Sequence, residues 1–142
     1  MTDTHTAPYG AFLLRVTLGA LFVAHAGLKL FVFTPAGTAQ FFASLGLPGE
    51  LGYFAIAAEL AGGVALILGV WTRLVSLALI PILVGAIALV HGKSGFFFMN
   101  AGGGWEFIGF WIVALVTQAL IGEGAFALRF TPAVRVEPAL AR

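Results

Sequence analysis

Four apolar runs dominate the chain, separated by short segments rich in polar residues, glycine or proline. Residues 11–33 are interrupted only by Arg15, Thr17, His25 and Lys29. Residues 51–70 carry one charge, Glu59, and residues 74–90 carry none, with Pro81 near their middle. Residues 104–121 open with Glu106 and hold Gln118 near their end. A helix that crosses the hydrocarbon core of a bilayer needs about 20 mostly apolar residues. The pattern therefore predicts an all-α fold, an integral membrane four-helix bundle. One domain spans residues 11–124, after a flexible N-terminus (1–10) and before a cytoplasmic basic tail (125–142).

The breaks between the runs have local signatures. Thr34-Pro35 closes the first run and opens a short helix over 36–45, with Thr as N-cap and Pro in the first turn. That helix places Phe41, Phe42 and Leu45 on one side and is too short to span. It is expected to lie at the membrane interface, between spans one and two. Gly46 and Pro48-Gly49 end it. Trp71-Thr72-Arg73 makes a tight loop. The segment 91–104 (HGKSGFFFMNAGGG) reads as a loop at headgroup level, and its glycines 102–104 allow close backbone approach. Ala58-x-x-x-Gly62, followed by Gly63, has the small-xxx-small spacing that lets helices pack closely in lipid.

Composition agrees with this pattern. Hydrophobic residues make up 61% of the 142 positions, and only 7 Lys+Arg and 6 Asp+Glu are present. Mean hydropathy is +1.05. So few charges cannot cover the outer face of a soluble fold, so the solvent is lipid. A soluble enzyme and a nucleic-acid binder are excluded. The absence of cysteine excludes disulfides, thiol relays, Fe–S clusters and Cys-ligated metal sites. The first run is not a cleaved signal, since Arg15 lies inside it and Lys29 near its end. Loop charges set an orientation: Arg73, Arg129, Arg135 and Arg142 fall on one side, and Lys93 on the other. Both termini are then cytoplasmic.

A charge at mid-bilayer costs about 2.5–3.5 kcal/mol on insertion scales. Arg15, His25, Lys29 and Glu59 must therefore face one another, a cavity or the interface. At 100° per residue, Arg15 and Lys29 fall about 40° apart on one helix face, with His25, Phe22 and Gly19 on the same stripe. By rise along the helices, His25 lies about 5 Å outside the midplane, Lys29 and Glu106 about 10 Å outside it, and Glu59 near it. His91 is at or beyond that level. These five residues are expected to converge in the outer half, with Arg15 and Arg73 in the inner half. Lys29 and Glu106, at matching depth, are expected to pair and tie helices one and four. Arg15 is expected to snorkel to the inner headgroups. Trp71 and Trp105 fit interfacial belts. Glu59 reads either as an interhelical hydrogen-bond donor or as a proton-handling group. His25 reads as a proton exchanger or as a packing histidine. His25, Glu59 and His91 are ligand types for a metal, but no helix carries a metal-spaced pair, and no metal is assigned.

The combination of Arg15-x-x-x-Gly19, Gly27-x-Lys29, Phe42, Leu45-Gly46-Leu47-Pro48, Glu59-x-x-Gly62-Gly63, Leu66, Gly69 and Thr72-Arg73 resembles the DoxX family of small bacterial membrane proteins. Gly95-Phe96-Phe97 and Gly103-Gly104-Trp105-Glu106 fit it too, so the resemblance covers residues 15–124. The chain departs from many members at Gly122-Glu123-Gly124 and Ala127-Leu128-Arg129, where they carry G-P-G and S-L-D. The resemblance implies a four-helix protein of the bacterial cytoplasmic (inner) membrane. Some members resemble subunits of a thiosulfate:quinone oxidoreductase, and others are linked to membrane redox or thiol-stress complexes. On that basis the chain is expected to be a quinone-linked redox subunit. His25, Glu59 and Lys29 would be its catalytic groups, and Phe22, Phe97, Trp105, Glu106 and His91 would line the cofactor site. Electrons would come from a redox enzyme partner or a soluble substrate, and the expected protein partner is a redox enzyme subunit or a second copy of the chain in a homo-oligomer. The alternative is a non-catalytic membrane anchor whose basic tail or interfacial helix docks a partner enzyme. A solute carrier fits less well, because inverted repeats and broken helix pairs are missing.

Overall fold

The computed structural model describes residues 4–128, and helices make up the regular structure among them. Helix α1 (Ala7–Gly27) runs on into a π-helical turn (Leu28–Val32). Short α2 (Pro35–Ser44) follows, then α3 (Glu50–Leu68). Helix α4 (Thr72–Ala86) continues through a second π-helical turn (Ile87–His91) and a 3-10 turn (Gly92–Ser94). A loop leads to α5 (Glu106–Ile121). Arg129, Arg135 and Arg142 of the expected basic tail lie outside the described residues.

Three stretches, Ala7–Val32, Glu50–Leu68 and Thr72–Ser94, are long and apolar enough to cross a membrane. The fourth, α5, is apolar but has 16 residues, about 24 Å of rise against a core of about 30 Å. The expected fourth span is thus present as a helix, but a short one. Contacts follow a cyclic order: α1 packs on α3, α3 on α4, α4 on α5 and α5 on α1. All four supply the core, with Leu18 and Phe22 from α1, Leu66 from α3, Leu79 and Leu83 from α4, and Trp111, Ala114 and Leu115 from α5.

Local chemistry explains most boundaries. Helix α1 starts at Ala7, ahead of the apolar run, because Pro8 sits in the first turn, where no N–H is needed. Thr34 caps α2 as expected: its Oγ1 accepts from the Gly37 N–H at 3.1 Å. Helix α2 packs one side onto the start of α3. A Cβ on Gly52 would lie 3.1 Å from the Ala39 backbone, and Thr38 is buried. Phe41 stays about half exposed. Gly69 ends α3 with φ +75, the left-handed conformation glycine tolerates best.

The closest helix approach joins α1 to α3. A Cβ on Gly19 would lie 2.6 Å from the Gly63 carbonyl oxygen, and one on Gly63 would lie 2.8 Å from that of Gly19. Backbone rests on backbone there, so neither position accepts a side chain. Gly62 serves the other neighbour, since its Cβ would meet the Leu79 side chain of α4. The small residues of the second span are packing residues, as their spacing predicts.

Gly63→Ala is expected to lower stability by about 1–3 kcal/mol, because this contact cannot open locally. Gly85→Ala, where a Cβ meets nothing within 4 Å, should be neutral. Thermal unfolding of both variants in mild detergent checks this, and equal Tm values would show that the α1–α3 crossing is not tight.

Candidate functional site

At the end of the bundle where α1 ends and α3 begins, an ion pair joins the two helices. Lys29, in the first π turn, donates from Nζ to both Glu59 oxygens, at 3.0 and 2.7 Å. The side chains are 21% and 5% exposed, so the pair is largely removed from solvent. The expected partner of Lys29 was Glu106, and the structure corrects this. Residue depth had matched Lys29 to Glu106, but depth does not say which helix is the neighbour. The Gly19–Gly63 contact makes α3 the close neighbour of α1, and Glu59 lies one turn from Gly63 on that side. The π turn adds a residue to the helical repeat. Thr38 Oγ1 bonds the Thr34 carbonyl at 3.0 Å and approaches the Lys29 carbonyl at 3.4 Å, closing this corner against α2.

One turn below Lys29, His25 Nδ1 lies 2.9 Å from the Leu21 carbonyl oxygen. A carbonyl only accepts, so the neutral ring carries its proton on Nδ1 and leaves Nε2 as a free acceptor. The imidazole packs on Trp111, with centroids 5.0 Å apart. Phe22 meets the same indole at 4.5 Å and Phe107 at 5.7 Å. Trp111 is 3% exposed, and its Nε1–H is buried with no hydrogen-bond partner. A buried indole N–H normally has one. Trp111 is not among the site residues expected above. Its signal is its position, inside the last apolar run rather than at an end where interfacial tryptophans sit.

The remaining expected site residues organise the loop before α5. His91 Nδ1 bonds the Gly103 carbonyl at 2.9 Å. The Glu106 carboxylate accepts from the Phe98 N–H at 2.9 Å. Trp105 packs edge-on against Phe96, which packs in turn on Phe97. Phe97 is exposed, and the ring contact it makes is with Phe96, not with the His25–Trp111 group. A shallow apolar groove beside this loop is lined by Phe98, Glu106, Phe107 and Phe110, and of these Phe107 packs on Trp111. The structure thus joins Lys29 to Glu59, packs both His25 and Phe22 on Trp111, and assigns His91, Trp105 and Glu106 to the loop. Among the described residues no three His, Asp or Glu side chains gather as a metal centre would need.

The opposite end holds two arginines with capping roles. Arg15 is fully buried. Its Nη1 donates to the Leu66 and Ile67 carbonyls at 2.8 and 2.9 Å, and Nη2 to Ala125 at 3.1 Å. The expected snorkelling does not occur. At the end of α3 the carbonyls run short of helical donors, Leu66 keeping only the Gly69 N–H at 3.1 Å, and lipid supplies none, so Arg15 turns inward to meet them. Arg73 does the same for α5, donating to the Ala119 and Leu120 carbonyls at 2.9 and 3.2 Å.

The family model DoxX matches residues 10–92, more than half of the chain. The chain belongs to the DoxX family. The DoxX match runs from the start of α1 through the second π turn, and so includes Arg15, His25, Lys29 and Glu59 but not Trp111 or Glu106. A relative covering more of the chain is the Bacillus subtilis (strain 168) protein named "Putative oxidoreductase CatD", 39% identical over 119 residues, 84% of each chain. No solved structure matches the chain at a significant level. Membership and the three long apolar helices make this a multi-pass membrane protein.

Lys29→Met or Glu59→Gln alone leaves one buried charge unpaired and is expected to cost about 3–5 kcal/mol. The double variant should recover much of that loss. Lys29→Met combined with Glu106→Gln should instead be additive. Thermal unfolding of the two double-mutant cycles in nanodiscs measures both, and additivity in the Lys29–Glu59 cycle would contradict the pair.

Proposed function

We propose that this protein is the membrane subunit of a quinone-linked oxidoreductase, with the quinone head group held at His25 and Trp111. The observation that carries this reading is the buried, unpartnered Trp111 Nε1–H beside the His25 ring. The name of the Bacillus relative supports redox chemistry in general. A quinone site needs apolar walls, a donor for a carbonyl and an acceptor for a hydroxyl. Phe22 and Phe107 supply walls, Trp111 the donor and His25 Nε2 the acceptor. Bound there, a quinone would supply the capacity to take up or release two electrons and two protons. His25 holds or accepts a proton at Nε2, while its Nδ1–H keeps the ring fixed to the Leu21 carbonyl. Glu59 and Lys29, paired one turn outward, set the charge beside the head group. Phe97, Trp105, Glu106 and His91 form the loop next to the entry groove. With no cysteine in the chain, electrons come from a partner protein or a soluble donor. We place the chain in the bacterial cytoplasmic membrane with both termini inside, on the loop-charge asymmetry.

One observation favours a second reading, a non-catalytic anchor. Arg15, Lys29, Glu59 and Glu106 all have protein partners, as residues that only hold the bundle together would.

Organic extraction of protein purified in mild detergent separates the two. The redox reading expects stoichiometric quinone, reduced roughly tenfold in Trp111→Phe, which keeps the ring and loses one hydrogen bond. His25→Ala should abolish quinol-linked activity without loss of folding. An extract free of quinone, together with wild-type activity in His25→Ala, would leave the anchor. A reporter that works only outside the cytoplasm should be active in the 95–104 loop, and activity at the C-terminus instead would reverse the orientation.

A further inference from the structure

A second polar group lies at the Arg15 end, apart from the proposed quinone site. The core is layered. Phe22 and Trp111 touch, and Leu83 belongs to the same cluster. Four residues along each helix toward the termini come Leu18, Leu115 and Leu79, all in that cluster. Three residues further come Arg15, Gln118 and Ser76. The same steps of four and three on α1, α5 and α4 put the backbone positions of these three residues at one level along the bundle. Thr72 stands one turn beyond Ser76 on the same face of α4. Arg15, Thr72, Ser76 and Gln118 are all 0% exposed.

Each of the four has an unsatisfied polar atom: Arg15 Nε, Thr72 Oγ1, Ser76 Oγ and Gln118 Oε1. Their other groups are engaged. Both terminal nitrogens of Arg15 donate to carbonyls, and Gln118 Nε2 donates to the Gly122 carbonyl at 2.6 Å. A helical hydroxyl can bond back four residues, as Thr117 does to Val113 at 2.9 Å. Ser76 does not. Leaving four such atoms unbonded inside a protein surrounded by lipid is expensive at every one.

We propose that this layer is an internal water site. Charge selects the ligand. Arg15 repels a cation. Its own charge is already met by the Leu66, Ile67 and Ala125 carbonyls, so an anion would be buried among carbonyl oxygens. A neutral ligand remains, and it must accept from Arg15 Nε and donate to Gln118 Oε1. The full burial of all four residues restricts it to the smallest such molecule. A buried water makes about three hydrogen bonds, so one or two waters satisfy the set. The Leu18, Leu79 and Leu115 layer separates this site from His25 and Trp111, and it stands whether or not a quinone binds there.

Water-edited solid-state NMR of the protein in lipid bilayers tests this. Magnetisation from water is expected to reach the Gln118 side chain several-fold faster than the Leu115 methyls one layer away. Combining Thr72→Val with Ser76→Ala should remove most of that difference. Equal build-up at Gln118 and Leu115 in the unmodified protein overturns the proposal. A structure at a resolution that shows water gives an independent check. Density within about 3.2 Å of Arg15 Nε and Gln118 Oε1 supports the site. Direct bonds among the four side chains, or an ion between them, refute it.

Discussion

The contact of Gly19 with Gly63 is the constraint from which the polar architecture follows. In lipid, helices gain nothing from hiding apolar surface, so association depends on close packing and on hydrogen bonds. Two glycines bring the α1 and α3 backbones together, and polar side chains on either side of that crossing then come within reach of α3. Below it, Arg15 meets the last carbonyls of α3. Above it, Lys29 meets Glu59. A wider crossing would move both cations away from their partners and leave them charged in hydrocarbon.

The two ends of the bundle use polar groups differently. At the Arg15 end, side chains complete the backbone: Arg15 and Arg73 supply donors to the terminal carbonyls of α3 and α5, and Gln118 does so for Gly122. At the Lys29 end, side chains meet side chains, and both apolar extensions, Leu28–Val32 and Ile87–His91, leave the α-helical repeat for π turns. Single π turns inside helices occur often at functional sites. Here they flank the region where an imidazole and an indole N–H lie together under a shell of aromatic rings.

Much of this was legible in the sequence. The apolar runs located α1, α3, α4 and the shorter α5, Thr34-Pro35 marked the start of α2, and the Ala58, Gly62 and Gly63 spacing marked the packing face of α3. The inward stripe of α1, with Arg15, Gly19, Phe22, His25 and Lys29, also emerged from periodicity. Partners did not. Helical rise gives depth within the bilayer, but the cyclic order of helices must be known before Lys29 can be matched to Glu59 rather than Glu106. The inward turn of Arg15 is hidden for a related reason: the helix-end carbonyls that draw it belong to residues 51 and 52 positions away in the chain. The π turns follow no residue signature, and Trp111 was hidden by its apolar neighbours.

The segment after α5 folds back over the beginning of the chain. The Ala125 N–H donates to the Pro8 carbonyl, the Leu128 N–H to that of Leu68, and Phe126 packs on Tyr9 and Phe12. Arg15 receives its third acceptor from this segment, 110 positions later. Synthesis at about 5–20 residues per second puts on the order of ten seconds between the two. Once α3 has followed α1 into the bilayer, and until residue 125 is made, the Arg15 guanidinium is incompletely enclosed. The inserted protein therefore passes through a stage in which one end of the bundle is open, and residues 125–128 shut it.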